Sequence, residues 1–164
     1  MSMNELYDKP GHLFRRMQQI AVAVFVEECA NFDLTPPQYA SLTGILENPG
    51  IDATRLSSII FFDRATLGNV LERLETKGYI YRTGRSGDKR IKVLNLTDVG
   101  RKVLSDVTES VERAQKRMLD PLAPAEQKTL IELLQKLVRE NDAVAEQMNA
   151  DIAVPARGRA ARQG

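Results

Sequence analysis

One interruption constrains this chain more than any other feature. Apolar residues recur at helical spacing along most of its length, but not between Tyr79 and Leu96. There Tyr79-Ile80-Tyr81-Arg82-Thr83 and the run from Arg90 to Leu96 flank Gly84-Arg85-Ser86-Gly87-Asp88-Lys89. In the second run Ile91, Val93 and Leu96 mix with Lys92 and Asn95 in a strand-like way. Two short strands around a Gly-rich turn predict a single β-hairpin in an otherwise helical chain. The hairpin is basic: Arg82, Arg85, Lys89, Arg90 and Lys92 face one acid, Asp88.

The helices on either side are marked by caps and stripes. Leu13, Met17, Ile20 and Val24, widened by Phe14, Ala21 and Phe25, predict a first helix from about Gly11 to Asn31. Thr35-Pro36-Pro37-Gln38 starts a second helix with a capping box, and Asn48-Pro49-Gly50 ends it. Asp52 caps a short third helix with Leu56, Ile59 and Ile60 turned inward. Asp63 caps a fourth that stops at Gly78. Leu67, Val70, Leu71 and Leu74 form the buried stripe of the fourth helix. Its other face carries Arg64, Ala65, Thr66, Gly68, Asn69 and Arg73, residue types suited to phosphates and base edges. After the hairpin, Thr97 caps a fifth helix from Asp98 to Leu119, and Pro124 opens a sixth that runs to about Met148.

Composition narrows the function. The chain has 164 residues, 43% of them hydrophobic and 27% charged, the balance of a soluble globular domain. Ten Gly and seven Pro are too few for a turn-rich all-β sandwich. One cysteine, Cys29, excludes a disulfide framework or a zinc knuckle. One histidine, His12, argues against a metal site and a Ser-His-Asp triad. Neither catalysis nor a cofactor is implied, and the chain reads as no enzyme. No apolar run suits a membrane span, and Met1 to Pro10, with Glu5, Asp8 and Lys9, does not read as a signal peptide, so a cytoplasmic location is expected.

Net charge is only +1, but its distribution is uneven. No Lys or Arg occurs between Arg16 and Arg55, a stretch that holds five acids. Asp63 to Lys102 holds ten basic residues against five acidic ones, a net of +5. A basic middle between less basic flanks is the footprint of polyanion binding. Helix, short helix, helix and basic hairpin is the order of a winged helix-turn-helix. The fold class expected is therefore mainly α, a winged helix-turn-helix with a helical dimerisation domain.

Leu74-Glu75-Thr76-Lys77-Gly78-Tyr79-Ile80-Tyr81-Arg82, then Asp88-Lys89-Arg90, then Leu94-Asn95-Leu96-Thr97-Asp98-Val99-Gly100 resembles the multiple antibiotic resistance regulator (MarR) family. Its signature is Asp-x-Arg in the wing followed by Leu-Thr-x-x-Gly opening the next helix. The resemblance spans roughly residues 10–148. It implies a homodimeric transcription factor on double-stranded DNA, usually a repressor, released by a small molecule. It also implies that Asp88 braces Arg90, whose planar fork suits a narrow minor groove. The DNA-contacting set is then Arg64, Thr66, Asn69, Arg73, Arg85, Asp88, Lys89 and Arg90. Asn69 could pair with adenine, and Arg73 with phosphate or guanine.

On the sixth helix Leu130, Leu134, Leu137, Asn141, Val144 and Met148 make a heptad-like seam for dimerisation. The expected organisation is a dimer domain from residues 1–34 and 101–149, a winged domain at 35–100, and a disordered basic tail at 150–164. For an effector, His12 and Arg16 share a side of the first helix, and Tyr39 and Thr43 a side of the second. A cation, an imidazole, a phenol and apolar walls suit an aromatic carboxylate. The stretches at 12–16 and 33–39 resemble the branch of the family that governs aromatic-acid and nicotinate degradation. Two alternatives stand beside this reading: a redox sensor using Cys29, and a winged helix that binds protein rather than DNA.

Overall fold

The computed structural model describes residues 3–85 and 87–153, with residues 3, 4, 88, 89 and 143–153 described by their backbone alone. Its elements in order are α1 (Met3–Tyr7), α2 (Pro10–Glu28), a 3-10 turn (Ala30–Phe32), α3 (Pro36–Glu47), β1 (Ile51–Asp52), α4 (Ala53–Ile59), α5 (Arg64–Thr76), β2 (Ile80–Arg85), β3 (Asp88–Leu96), α6 (Asp98–Leu119) and α7 (Pro124–Ala153). Among the described residues, those up to 118 form one compact unit and those from 119 onward another.

The helix starts follow the capping chemistry in the sequence. Thr35 and Gln38 form the reciprocal box that opens α3. Asp52 accepts the Arg55 amide at 2.9 Å to open α4, and Asp63 accepts the Thr66 amide at 2.9 Å to open α5. Thr97 Oγ1 accepts the Gly100 amide at 3.0 Å to open α6. Each cap satisfies an amide that the first helical turn leaves without an intrahelical partner.

The core of the first unit gathers Leu42 and Ile45 from α3, Leu56 from α4, and Leu67, Leu71 and Leu74 from α5. Ile80, Leu94 and Leu96 of the sheet close it from one side. Phe25 and Cys29 at the end of α2, with Leu104, Val107 and Val111 of α6, join the same cluster. Residues on both sides of positions 34 and 100 thus share one cluster.

The hairpin forms as expected, with an addition. β1, only two residues long, pairs antiparallel with β3 (Ile51 opposite Leu94, Asp52 opposite Val93), giving a three-stranded sheet in the order β1-β3-β2. β2 and β3 stay in register from Ile80–Leu96 to Gly84–Lys92. The ladder then slips, and Arg85 lies opposite Asp88. Residues 89–91 are left out of the pairing, and Gly87 turns the chain at φ +89°.

Two expectations need correction, and one element is additional. Ile59 is not turned inward: it is 47% exposed, while Leu56 is fully buried and Ile60 half-buried. Seven residues make fewer than two turns, too few for spacing alone to set the phase of the buried face. α7 continues past Met148 to Ala153, so residues 150–153 of the expected tail are helical, and 154–164 lie outside the described residues. A short α1 precedes the expected first helix, and the Tyr7 ring lies 5.4 Å from that of His12.

Two helices end in the same six-residue turn with different residues at its left-handed position. After α5, Gly78 has φ +71°, and the Tyr79 amide donates to Leu74 O at 3.0 Å. After α4, Phe61 has φ +56°, and the Phe62 amide donates to Ser57 O at 3.1 Å. Glycine fits this position without steric cost, whereas phenylalanine does not. Phe61 is also 78% exposed, so its ring recovers little by burial. Phe61→Gly is expected to stabilise the fold by about 1 kcal/mol and raise the melting temperature by about 2–4 °C. Thermal unfolding followed by circular dichroism checks this.

Candidate nucleic-acid interface

α5 presents its polar face as the sequence predicts. Leu67, Leu71 and Leu74 are buried, while Arg64, Thr66, Asn69 and Arg73 are exposed. Its first turn is firmly set. The Thr66 hydroxyl donates to Asp63 Oδ2 at 2.5 Å, and the Thr66 amide donates to Oδ1. These two bonds, the hydroxyl's first, hold the Asp63 carboxyl below its ordinary range. The hydroxyl proton of Thr66 is thus engaged within the chain, which leaves its oxygen lone pairs for an outside donor.

Grooves border this helix on the α3 side and on the sheet side. One, of about 730 Å³, is lined by Thr35 and Gln38 from the start of α3 and by Asn69, Arg73 and Lys77 from α5 and its end. Lys77 bridges the two sides, donating to the Asp33 backbone carbonyl and lying 2.9 Å from its Oδ2. That bond holds the Asp33 carboxyl below its usual range. The second groove, of about 490 Å³, runs between α5 and the sheet, with Gly68, Glu72, Glu75, Arg82 and Lys92 along it. Arg82 approaches Glu75 at 3.3 Å. From the sequence, Arg82 and Lys92 are only members of a basic hairpin. Their place beside the open face of α5 follows from the strand register, a non-local property.

A further basic residue of the hairpin is paired within the chain. Arg85, expected to face DNA, lies with its Nη2 3.0 Å from Asp52 Oδ2. Arg90 is exposed, in the stretch that the ladder leaves out. The side chains of Asp88 and Lys89 lie outside the described residues.

The four expected effector residues do not come together within one chain. Tyr39 packs its ring 6.0 Å from Phe25, near the C-terminal end of α2, and Thr43 donates its hydroxyl to Tyr39 O at 3.0 Å. Arg16 donates to Gln19 at 3.3 Å, and His12 lies against Tyr7. At 1.5 Å of rise per residue, Arg16 is about 13 Å and His12 about 20 Å along the helix from Phe25. Leu13, Phe14 and Met17 beside them are exposed. Cys29 is buried, and burial, together with the Glu28 charge, pushes its thiol up, away from the reactive thiolate a redox sensor needs.

Among the described residues no helix is long and apolar enough to cross a membrane. The MarR family model matches residues 34–92, which run from the end of the α2–α3 link into β3. The transcriptional regulator HosA of Escherichia coli is 32% identical over 133 residues, 81% of this chain and 97% of that one. The chain belongs to the MarR family. It is a transcriptional regulator of the MarR type that binds DNA.

Solved structures agree with this assignment. The transcriptional repressor CouR bound to a 23-mer DNA duplex superposes with a TM-score of 0.76 at 28% identity, covering 84% of this chain and 98% of that one. BpsR of Bordetella bronchiseptica, whose DNA binding is regulated by 6-hydroxynicotinic acid, gives 0.75 at 26% identity, covering 80% and 94%. The MarR fold accounts for the Leu-Thr-x-x-Gly run physically. Thr97 donates its hydroxyl to Gly78 O at 2.6 Å, and its amide donates to Tyr79 O at 3.0 Å, tying the start of α6 to the end of α5.

Proposed function

We propose that this MarR protein is a homodimeric repressor that acts in the cytoplasm, occupies a pseudo-palindromic operator and is released from it by a small aromatic carboxylate. The observation that carries the DNA part is the open polar face of α5 beside a basic hairpin. Asn69 and Arg73 suit base edges in the major groove, Arg64 suits phosphates, the Thr66 methyl suits a thymine methyl, and Lys89 and Arg90, braced by Asp88, suit the backbone and the minor groove. Two half-sites about 10 base pairs apart match a two-fold dimer.

Exposed apolar side chains support dimerisation. Leu134 and Leu137 on α7 are 39% and 48% exposed, in the seam that Leu130, Asn141 and Val144 extend. The Val144 side chain lies outside the described residues. Asn141 donates to Leu137 O at 2.7 Å, which leaves its amide oxygen to a partner helix.

The likeness to BpsR supports an aromatic acid as effector. Arg16 offers the acid a charge-assisted hydrogen bond, and the exposed Leu13 and Met17 offer its ring an apolar wall. His12, Tyr39 and Thr43 complete the proposed set, and the partner chain brings the two groups together. Coupling of this kind amounts to about 5- to 150-fold in DNA affinity, and by linkage the operator weakens the ligand by the same factor. Fluorescence anisotropy on DNA upstream of the protein's own gene, titrated with hydroxylated benzene and pyridine carboxylates, tests it. Arg16→Ala is expected to bind the operator as wild type does and to lose release. Release of that variant at the wild-type ligand concentration removes Arg16 from the site.

A further inference from the structure

Arg85 sits where the regular pairing of the hairpin is interrupted. Up to Gly84 the β2–β3 ladder fixes the strands; at Arg85 the register slips, and residues 89–91 leave the pairing. A slip of this kind bends the strands and leaves the direction of the wing tip less closely set than regular pairing would. Arg85 is also joined to the far side of the sheet. β3 separates β2 from β1, yet the Arg85 guanidinium reaches Asp52 on β1 at 3.0 Å. The Asp52 carboxylate is shared: Oδ1 accepts the Arg55 amide that starts α4, and Oδ2 takes Arg85. One side chain thus links the first half of the helix-turn-helix to the wing.

We propose that Arg85 is a positioning residue that aims the wing through Asp52 and does not itself contact DNA. The Asp52 side chain is 19% exposed and that of Arg85 39%, so the pair is partly shielded from solvent. A carboxylate already turned toward the α4 amide needs little further ordering to receive the guanidinium. The proposal rests on the reading of the wing as a DNA-contacting arm, and it reassigns one residue that charge alone would place on the phosphates.

The two roles predict opposite signs. If Arg85 bound phosphate, Asp52→Asn would free it and remove a negative charge, and operator binding would tighten. If the pair aims the wing, Asp52→Asn weakens binding, although asparagine still caps α4. Operator affinity is measured by anisotropy between 50 and 300 mM salt, on the order of the usual range for such titrations, for wild type, Asp52→Asn, Arg85→Ala and the double variant. Expected is a loss of about 3- to 10-fold in each single variant. The double variant should be no weaker than the weaker single, and the salt slope should not change. Tighter binding by Asp52→Asn, or a salt slope in Arg85→Ala that is shallower by about 0.9 per phosphate no longer neutralised, overturns the proposal. Should Asp52→Asn melt below the assay temperature, the slope of Arg85→Ala decides alone. Failure of wild type to bind would instead strike the DNA reading itself.

Discussion

Replacing Gly100 with alanine is expected to cost about 2–4 kcal/mol of stability and to lower the melting temperature by roughly 10 °C. A methyl group on Gly100 would stand 2.0 Å from the Tyr79 carbonyl oxygen and 2.9 Å from its carbon. Those atoms are backbone, and no rotamer change relieves them. The carbonyl also accepts the Thr97 amide, and the Tyr79 amide closes the turn after α5. Moving Tyr79 therefore loosens both the start of α6 and the end of α5. Helix propensity works the other way, favouring alanine by about 1 kcal/mol, and the steric clash outweighs it.

Gly68 is the control for that argument. It too lies inside a helix, but nothing stands within 4 Å of its added methyl. The same substitution there is expected to raise stability by about 1 kcal/mol. Thermal melts of the two variants should move in opposite directions. Melting of Gly100→Ala together with wild type would mean that α6 can shift away from the sheet at no cost.

What the sequence shows and what it hides divide along chain distance. The caps at Thr35, Asp52, Asp63 and Thr97 are legible because each bonds an amide three residues ahead. The buried stripe of α5 is legible because thirteen residues span enough turns to set its phase. Spacing misplaces Ile59 because α4 does not span enough turns. β1 escapes a sequence reading because two residues carry no alternation, and only the edge of β3 makes them a strand. Arg85 reads as a basic hairpin tip because its partner, Asp52, is 33 residues away. Helix faces alone group the four effector residues. The contact between α2 and α3 lies instead at Phe25 and Tyr39, beyond the reach of His12 and Arg16 in the same chain.

Arg90→Ala is expected to weaken operator binding by about 100-fold near physiological salt while leaving the fold intact. Arg90 is exposed, in the part of β3 outside the ladder, so its removal takes nothing from the core. An exposed surface substitution of this kind changes stability by about 0.5 kcal/mol or less. On DNA the balance differs. A narrow minor groove concentrates negative potential, and a guanidinium there gains more than it does on an open phosphate. A loss of about 1–2 kcal/mol in each half-site is counted twice in a dimer, which gives the factor of about 100. The same variant should lose preference for A·T-rich flanks, where the groove is narrowest, whereas Asn69→Ala should relax discrimination at one major-groove position. Binding assays on operators with exchanged flanks separate the two effects. Equal affinity of wild type and Arg90→Ala on every flank would take the wing out of recognition and leave α5 alone to carry it.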